Sequence, residues 1–426
     1  MFYQFCKPVS QMAKVVPALL FSSLLWAQDA PEAEGDLPLN ELRMFVEVME
    51  RIKTAYVEPI DDKTLLENAI KGMLANLDPH SAYLNAESYR ELQESTSGEF
   101  GGLGIEVGME DDQLSVISPI DDTPAFAAGI EAGDLILKID GQLTKGLTLI
   151  EAVEKMRGKP GSSVTLTIGR EHRAPFDVKL KRAVIKSRSV RSELLEENYG
   201  LLRISQFQVN TGAEVGRALK QLEKTNGQPL AGLVLDLRNN PGGVLQAAAA
   251  VADHFLSRGK IVYTEGRMAN SQMRFDATPS VSISHNTPLV VLVNGGSASA
   301  SEIVAGALQD HKRAVIMGTN SFGKGSVQTI LPLNEDHGVK LTTARYFTPS
   351  GRSIQAQGIE PDILVERGKS SSAHQGSDVK ESDLAGHLNN NQKPDNHDRK
   401  RQTELLQNDN QLSQALSLLR GLNVLK

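Results

Sequence analysis

Three serines at alternate positions, Ser297, Ser299 and Ser301, stand where an apolar segment meets a helical one. Residues 288–293 are continuously apolar and predict a buried strand, and residues 299–309 predict a helix. The first N–H groups of a helix have no acceptor within the helix, so they can donate to an oxygen that gains negative charge. A serine here is therefore a candidate nucleophile. The alternative is a cluster of helix N-caps, because serine is favoured at that position.

A serine nucleophile needs a base, and none of the nine histidines stands out for that role. Lys324 lies between Gly323 and Gly325, where two backbones can approach closely. A lysine acts as a base only when neutral, which requires burial or a nearby positive charge to lower its pKa from about 10.4. Gln328 follows four residues later, and in a strand this even spacing places both side chains on one face. An amide there would orient the amine; the alternative for Lys324 is a solvated loop lysine.

A glycine pair, Gly242 and Gly243, follows a predicted strand at residues 232–237 and precedes a predicted helix. Main-chain N–H groups at such a place can point into a pocket and hold an oxyanion. An ordinary strand-to-helix turn would have the same composition, so this alternative stays open.

Composition excludes several other classes of function. The 426 residues carry a net charge of −7, which argues against a nucleic-acid binder. Cys6 is the only cysteine, so neither a disulfide framework nor a thiolate zinc site can form within the chain. Residues 318–326 resemble a phosphate-binding loop, but Gly325 replaces the required Ser or Thr. The histidines are dispersed, and we expect no metal and no organic cofactor.

The first 27 residues predict an export signal. Lys7 and Lys14 precede an apolar run at residues 15–26, and Ala27 offers a small residue at the cleavage point. The run is too short to cross a hydrocarbon core of about 30 Å as a helix. We expect an exported protein of the bacterial periplasm, or a membrane-associated one if the signal is not cleaved.

The spacing of apolar residues changes several times along the chain. This pattern predicts an α+β multidomain protein. A helical stripe comes first, short strands with turns follow, and strands then alternate with helices. The predicted segments are a signal (1–27), a helical region (37–97), a small β-rich domain (98–183), an α/β core (184–366), a disordered linker (367–401) and a last helix (402–426).

Seven ordered motifs between about residues 40 and 366 resemble those of the carboxy-terminal processing peptidases, a family of Ser/Lys proteases with an embedded PDZ domain. The motifs are LDPHSAYL (77–84), GGLGI (101–105), PAFAAGIEAGDLI (124–136), DLRNNPGG (236–243), SASASEI (297–303), FGKGSVQ (322–328) and GIEPD (358–362).

The resemblance implies a role for each matching position. The nucleophile would be Ser299, the general base Lys324, and the residue that orients the base Gln328. The main-chain N–H groups of Ala300 and Gly243 would form the oxyanion hole. The α/β core would then be a serine protease core of the crotonase/Clp-like type.

The implied PDZ domain suggests how substrates are recognised. Gly102, Leu103, Gly104 and Ile105 would bind the terminal carboxylate and the last side chain of a peptide, which would pair with the following strand. Arg157 is a candidate for coupling this domain to the catalytic site.

The implied function is that of a serine endopeptidase that recognises substrate C-termini and cleaves exported proteins. The expected partners are proteins or peptides with apolar C-termini, possible adaptor proteins, and further copies of the chain, since the apolar stripes at both ends exceed what one copy is expected to bury. Two alternatives stay open: a non-catalytic PDZ scaffold and a crotonase-like acyl enzyme.

Overall fold

A computed structural model describes residues 38–368, apart from 111, 112, 121, 197, 281, 282 and 285, together with residues 406 and 408–424. The predicted export signal and nearly all of the predicted linker lie outside the described residues. The chain divides into two compact units, the first ending at Ala69 and the second beginning at Ile70.

The described helices are α1 (Leu39–Ala55), α2 (Asp62–Ala75), α3 (Ala86–Ser97), α4 (Pro124–Ala127), α5 (Leu149–Met156), α6 (Thr211–Asn226), α7 (Leu245–Asp253), α8 (Ala300–Asp310) and α9 (Asn410–Val424). In the described part of the chain, no helix combines the length and the apolar character that crossing a bilayer requires.

The strands are β1 (Ala82–Leu84), β2 (Glu99–Gly102), β3 (Ile105–Glu110), β4 (Gln113–Pro119), β5 (Leu135–Ile139), β6 (Gln142–Leu143), β7 (Ser163–Gly169), β8 (Phe176–Lys181), β9 (Ala183–Lys186), β10 (Val190–Glu196), β11 (Tyr199–Ile204), β12 (Gly232–Asp236), β13 (Lys260–Gly266), β14 (Arg274–Asp276), β15 (Leu289–Val293), β16 (Val315–Gly318), β17 (Ser326–Pro332), β18 (Gly338–Phe347) and β19 (Ile363–Leu364).

The first unit contains α1 and the start of α2. No residue of α1 is buried, although its apolar side chains follow the helical period. Asp61 caps the N-terminus of α2. Its carboxylate accepts hydrogen bonds from the main-chain N–H (2.9 Å) and the hydroxyl (2.8 Å) of Thr64.

The small β-rich domain is built on a sheet with the strand order β3-β4-β5-β7-β8, and β6 pairs with β5. Its core includes Ile136, Leu166 and Ile168, none more than 1% exposed. The glycine-rich segment before β3 includes β2, which pairs with β9. Glycine is required at position 101, because a Cβ there would lie 2.0 Å from the carbonyl oxygen of Gly158.

The α/β core is built on a six-stranded sheet with the order β10-β11-β12-β15-β16-β19, parallel from β11 onward. Successive residues of a strand face opposite sides of the sheet. In β12, Leu233 and Leu235 pack with α6, α7 and α8, whereas Val234 packs with α9. The sheet is therefore covered by helices on both faces, and its parallel strands end together where the candidate site lies.

A second, antiparallel sheet stands beside the core, with the order β1-β18-β13-β14 and β17 paired to β18. The helical interpretation of residues 37–97 missed β1, three residues that pair with β18 through Ala82 and Lys340. Such a short strand gives too few residues for an alternating pattern to emerge from the sequence. Its register brings the motif at residues 77–84 against β18.

Helix α9 is part of the core. Leu412, Ala415, Leu416 and Leu419 are each no more than 2% exposed, and Leu419 packs close to Gly232 of β12. The reasoning that this stripe needs a second copy to be buried was therefore wrong, because the six-stranded sheet of the same chain covers it. The exposed apolar side chains of α1 remain as a basis for that expectation.

Replacing Leu419 with Ala should lower the free energy of unfolding by about 2–4 kcal/mol, because the substitution opens a cavity in a fully buried site. Urea unfolding followed by circular dichroism measures the change. Gln414→Ala, on the exposed face of the same helix, is the control and should alter the value by less than about 0.5 kcal/mol. Equal stability of the two variants would contradict the packing of α9.

Candidate active site

The three serines differ in their environment. Ser297 and Ser301 are fully buried, and their hydroxyls donate to the carbonyl oxygens of Leu237 (2.8 Å) and Asn240 (2.9 Å). Ser299 is partly exposed and precedes the first residue of α8. Its φ of +55° is unusual for a residue with a side chain and marks local strain. Of the three, Ser299 alone has a hydroxyl that solvent can reach, and the other two fix the surrounding main chain.

Glu302, in the first turn of α8, joins the Ser299 region to the Lys324 loop. Its Oε2 accepts hydrogen bonds from the main-chain N–H groups of Ser299 (2.7 Å) and Lys324 (2.9 Å). Its Oε1 accepts from the Ser321 hydroxyl (2.5 Å) and the Gly323 N–H (2.6 Å). Ser299 and Lys324, 25 positions apart in the sequence, therefore bind the same oxygen atom.

The Glu302 side chain is fully buried, and burial raises its pKa. The four hydrogen bonds oppose that rise, and every one of the four partners donates. A carboxylate accepts at both oxygens, whereas a protonated acid would need an acceptor of its own. The geometry fits the ionised form.

Lys324 is partly buried in the loop before β17. Burial is the largest cause that lowers its pKa, and the positive charge of Lys340 lowers it further, while Asp78 and Glu302 act in the opposite direction. Within the described residues, no side chain forms an ion pair or a hydrogen bond with its amine. This environment differs from the solvated loop lysine considered as the alternative.

Gln328 lies within β17, and the ladder to β18 has a bulge between Val327 and Gln328. The strand-face argument for this residue was wrong, because Lys324 precedes the strand and the bulge changes the alternation. The amide nitrogen of Gln328 donates to the hydroxyls of Ser326 (3.0 Å) and Thr342 (3.4 Å). No hydrogen bond joins Gln328 to Lys324 among the described residues, and its orienting role stays a prediction.

The glycine pair contacts the Ser299 region directly. A Cβ on Gly242 would lie 2.8 Å from the Cβ of Ser299 and 3.0 Å from the Ala300 nitrogen, so only glycine fits there. The Gly242 N–H donates to the side chain of Asn240 (2.9 Å). In contrast, the N–H groups of Gly243 and Ala300 have no acceptor in the described part of the chain. Gly243 follows Gly242 and Ala300 follows Ser299, so two free donors adjoin the contact between Gly242 and Ser299.

Tyr346 is a site residue that the sequence did not indicate. It is 1% exposed, and its hydroxyl donates to the carbonyl oxygen of Lys324. Burial raises the pKa of Tyr346 well above its usual value, the Glu302 charge adds to the rise, and side-chain hydrogen bonding with Ser299 opposes it. Only the pairing of β17 with β18 brings this tyrosine to the site, which no sequence spacing reveals.

The segment before β3 has main-chain N–H groups without an acceptor, which carboxylate binding requires. The N–H groups of Leu103 and Gly104 have no acceptor among the residues described, whereas Gly102 belongs to β2. Leu103 is 3% exposed, and Ile105 packs partly buried against the same core. Strand β3 lies at the edge of its sheet and contacts α5.

Arg157 follows α5 directly and lies between the β-rich domain and α3. Its guanidinium forms an ion pair with Glu94 at 3.1 Å and covers the ring of Phe100 at 4.7 Å. These contacts connect the two regions, and no contact of Arg157 with Ser299 or Lys324 occurs among the described residues.

No group of three or more potential metal ligands occurs within the described residues. The polar groups of the candidate site are main-chain donors, one buried carboxylate, one amine and one phenol. Such a set can activate a hydroxyl and stabilise an oxyanion.

Comparison with protein families gives three matches. Residues 198–365 match peptidase family S41, residues 101–180 match the PDZ domain, and residues 22–88 match the N-terminal domain of the activating protease CtpB.

Relatives match over most of the chain. It is 49% identical over 413 residues to a carboxy-terminal-processing protease of Bartonella bacilliformis, covering 94% of this chain and 93% of that protein. Carboxy-terminal processing protease CtpA of Bacillus subtilis is 36% identical over 348 residues, 81% of this chain and 72% of that protein. A solved photosystem II D1 C-terminal processing protease is 33% identical, with a TM-score of 0.44, covering 76% of this chain and 86% of that one.

These matches confirm the predicted α+β fold with a PDZ domain, and they favour a protease over a non-catalytic scaffold or a crotonase-like enzyme. The chain belongs to the carboxy-terminal processing proteases, serine proteases of family S41 that carry a PDZ domain.

Proposed function

We propose that the chain hydrolyses peptide bonds with Ser299 as the nucleophile and Lys324 as the general base. The observation that carries this proposal is the shared carboxylate oxygen of Glu302, which accepts from the main-chain N–H groups of both residues. It holds the main chain of a partly exposed serine close to that of a lysine whose pKa is lowered by burial and by Lys340. A lowered pKa raises the fraction of neutral lysine near neutral pH.

The chemical steps follow from these positions. The Ser299 oxygen attacks the carbonyl carbon of the scissile bond while its proton moves to the Lys324 nitrogen. The N–H groups of Gly243 and Ala300 then stabilise the oxyanion. The C–N bond breaks as the ammonium of Lys324 returns its proton to the leaving amine. Water then attacks the acyl carbon while its proton moves to Lys324, the ester bond to Ser299 breaks, and Lys324 returns the proton to the Ser299 oxygen.

We further propose that the PDZ domain binds the free C-terminus of the substrate. The unfilled N–H groups of Leu103 and Gly104 suit a terminal carboxylate, and the free edge of β3 suits a peptide that adds a strand. The apolar surroundings of Leu103 and Ile105 favour an apolar last side chain.

Export and self-association complete the proposal. Export rests on the amino-acid pattern of residues 1–27. Self-association rests on α1, whose exposed apolar side chains include Leu39, Leu42, Phe45 and Val46, each at least 40% exposed. A second copy of the chain would cover this surface.

Ser299→Ala and Lys324→Ala should each lower the cleavage of an unfolded substrate by roughly 10⁴-fold or more, because neither half of the dyad works alone. A substrate with a free apolar C-terminus should be cut faster by the unaltered protein than its amidated counterpart. Product formation followed by mass spectrometry measures both effects.

Ser301→Ala is the matched control on the same helix. It removes one buried hydrogen bond, so we expect a loss of about 1 kcal/mol in stability and activity within about 10-fold of the unaltered protein. An active Ser299→Ala variant would refute the nucleophile, and an active Lys324→Ala variant would refute the base. Equal cleavage of the free and amidated substrates would refute tail recognition.

The pH dependence of kcat/KM should report the pKa of the Lys324 amine. The neutral amine is the active form, so activity rises with pH through its pKa. Lys340→Met removes a charge that lowers this pKa, so the acidic limb should move to higher pH. Lys220→Met, which removes an exposed lysine from α6, should leave the limb unchanged. A shift to lower pH in the Lys340 variant would contradict the assignment of the base.

A further inference from the structure

The motif at residues 77–84 lies against the candidate site, yet no role follows for it from the Ser/Lys chemistry. Asp78 is its central group. Its Oδ1 accepts from the N–H groups of His80 (2.8 Å) and Ser81 (2.9 Å), and its Oδ2 accepts from the Ser81 hydroxyl (2.7 Å). These bonds close a turn whose carboxylate points at β18.

Two further hydrogen bonds hold this turn to β18 at Thr342. The Thr342 N–H donates to the Ser81 hydroxyl oxygen (3.1 Å), and the Thr342 hydroxyl donates to Oδ1 of Asp78 (3.1 Å). The pairing of β1 with β18 fixes the register of this contact. The turn and the strand therefore form one hydrogen-bonded unit.

The direction of each hydrogen bond in this unit is determined by chemistry. The hydrogen bonds to Asp78 favour its ionised form and lower its pKa against the opposing effect of burial. An ionised carboxylate only accepts, so the single proton of the Thr342 hydroxyl must point to Asp78. The Thr342 oxygen can then only accept from Gln328, 3.4 Å away, so the nitrogen of that amide faces it.

The same constraint decides where the carbonyl oxygen of Gln328 points. The amide nitrogen of Gln328 also donates to the Ser326 hydroxyl (3.0 Å). This nitrogen therefore has two acceptors, Ser326 and Thr342. The oxygen and the nitrogen of a side-chain amide have nearly the same shape. The hydrogen-bond network alone therefore decides which of the two faces a given neighbour. With the nitrogen held, Oε1 is turned away and accepts no hydrogen bond from a described residue.

The side-chain amine of Lys324 is a donor in this region that has no hydrogen-bond acceptor among the described residues. The groups whose charge acts on it are Lys340 in β18, Asp78 in the turn and Glu302 in α8, and the His80 ring is close enough to be affected by Lys324 in turn. The charge of Asp78 therefore acts on the Lys324 amine, and the Gln328 amide is held by Thr342, which is itself a hydrogen-bond partner of Asp78.

We propose that Asp78 and Thr342 are positioning residues that act through Gln328: Asp78 sets the direction of the Thr342 hydroxyl, Thr342 holds the nitrogen of the Gln328 amide, and the Gln328 oxygen is thereby presented to the Lys324 amine. This inference rests on the proposed Ser299/Lys324 dyad. Its consequence is that the lone pair of Lys324 is aimed at Ser299, because an N–H of the amine is held by the amide oxygen.

The test uses four variants of the full chain, three at Thr342 and Thr343 and one at Asp78. Thr342→Val removes the hydroxyl but keeps the branched shape that suits a strand. Thr342→Ser keeps the hydroxyl. Thr343→Val makes the same change one residue along, on the opposite face, where the hydroxyl pairs with Thr329 at 2.6 Å. Thermal unfolding confirms that each variant folds.

Thr342→Val should lower kcat by about 10-fold or more while KM and the acidic limb of the pH profile stay unchanged, because the amide loses its orientation but every charge remains. Thr342→Ser should restore kcat to within about threefold, and Thr343→Val should match the unaltered protein. Asp78→Asn should also lower kcat, and it should move the acidic limb to lower pH, since a charge that raises the pKa of Lys324 is removed.

The outcomes separate the two proposals. A folded Thr342→Val variant with unaltered kcat overturns the positioning role, even if Lys324→Ala is inactive. A loss in Thr342→Val that Thr342→Ser does not restore, or that Thr343→Val shares, also overturns it, because the effect would then be structural. An active Lys324→Ala variant overturns the dyad itself, whatever the Thr342 variants do.

Discussion

One buried carboxylate organises the candidate site. Glu302 accepts four hydrogen bonds, and these bonds tie the start of α8 to the loop that carries Lys324. Burying an anion is costly unless its oxygens are fully satisfied, and here main-chain N–H groups provide most of the compensation. Because those N–H groups belong to Ser299, Gly323 and Lys324, the main chain on both sides of the candidate site is fixed by one side chain. The positive φ of Ser299 is maintained within that network.

Two sheets meet at this carboxylate and contribute different parts of the chemistry. The parallel sheet provides the serine and the free N–H groups at the ends of β12 and β15, where main-chain donors converge. The antiparallel sheet provides Gln328 and Tyr346, and β1 adds the Asp78 turn to it. The proposed nucleophile and the proposed oxyanion donors thus depend on one sheet, whereas the environment of the proposed base depends on the other. The Glu302 hydrogen bonds connect the two.

Sequence reasoning selected the candidate residues that local chemistry marks. Ser299 stands at a strand-to-helix junction, Lys324 lies between two glycines, and Gly243 follows a strand, so each carries its signal within a few residues. Three other features carry no such signal. They are the three-residue β1, the β17 bulge at Gln328 and the strand pairing that brings Tyr346 to Lys324. They follow from strand register between segments far apart in the sequence, which a single sequence does not specify. The resemblance supplied the order of the motifs, and the structure supplied the hydrogen bonds between them.

The most direct measurement of this account is the rate at which a fluorophosphonate modifies Ser299 in the unaltered protein and in Glu302→Gln. The reagent forms a bond from the serine oxygen to phosphorus and releases fluoride, so an intact mass reports the reaction and a peptide map locates it at Ser299. Glutamine keeps the shape of Glu302 but places an N–H₂ group among donors that need an acceptor. With cooperative unfolding retained, we expect modification to slow on the order of 100-fold, as displaced reacting groups do. An unchanged rate in the folded variant would contradict the claim that Glu302 assembles the site.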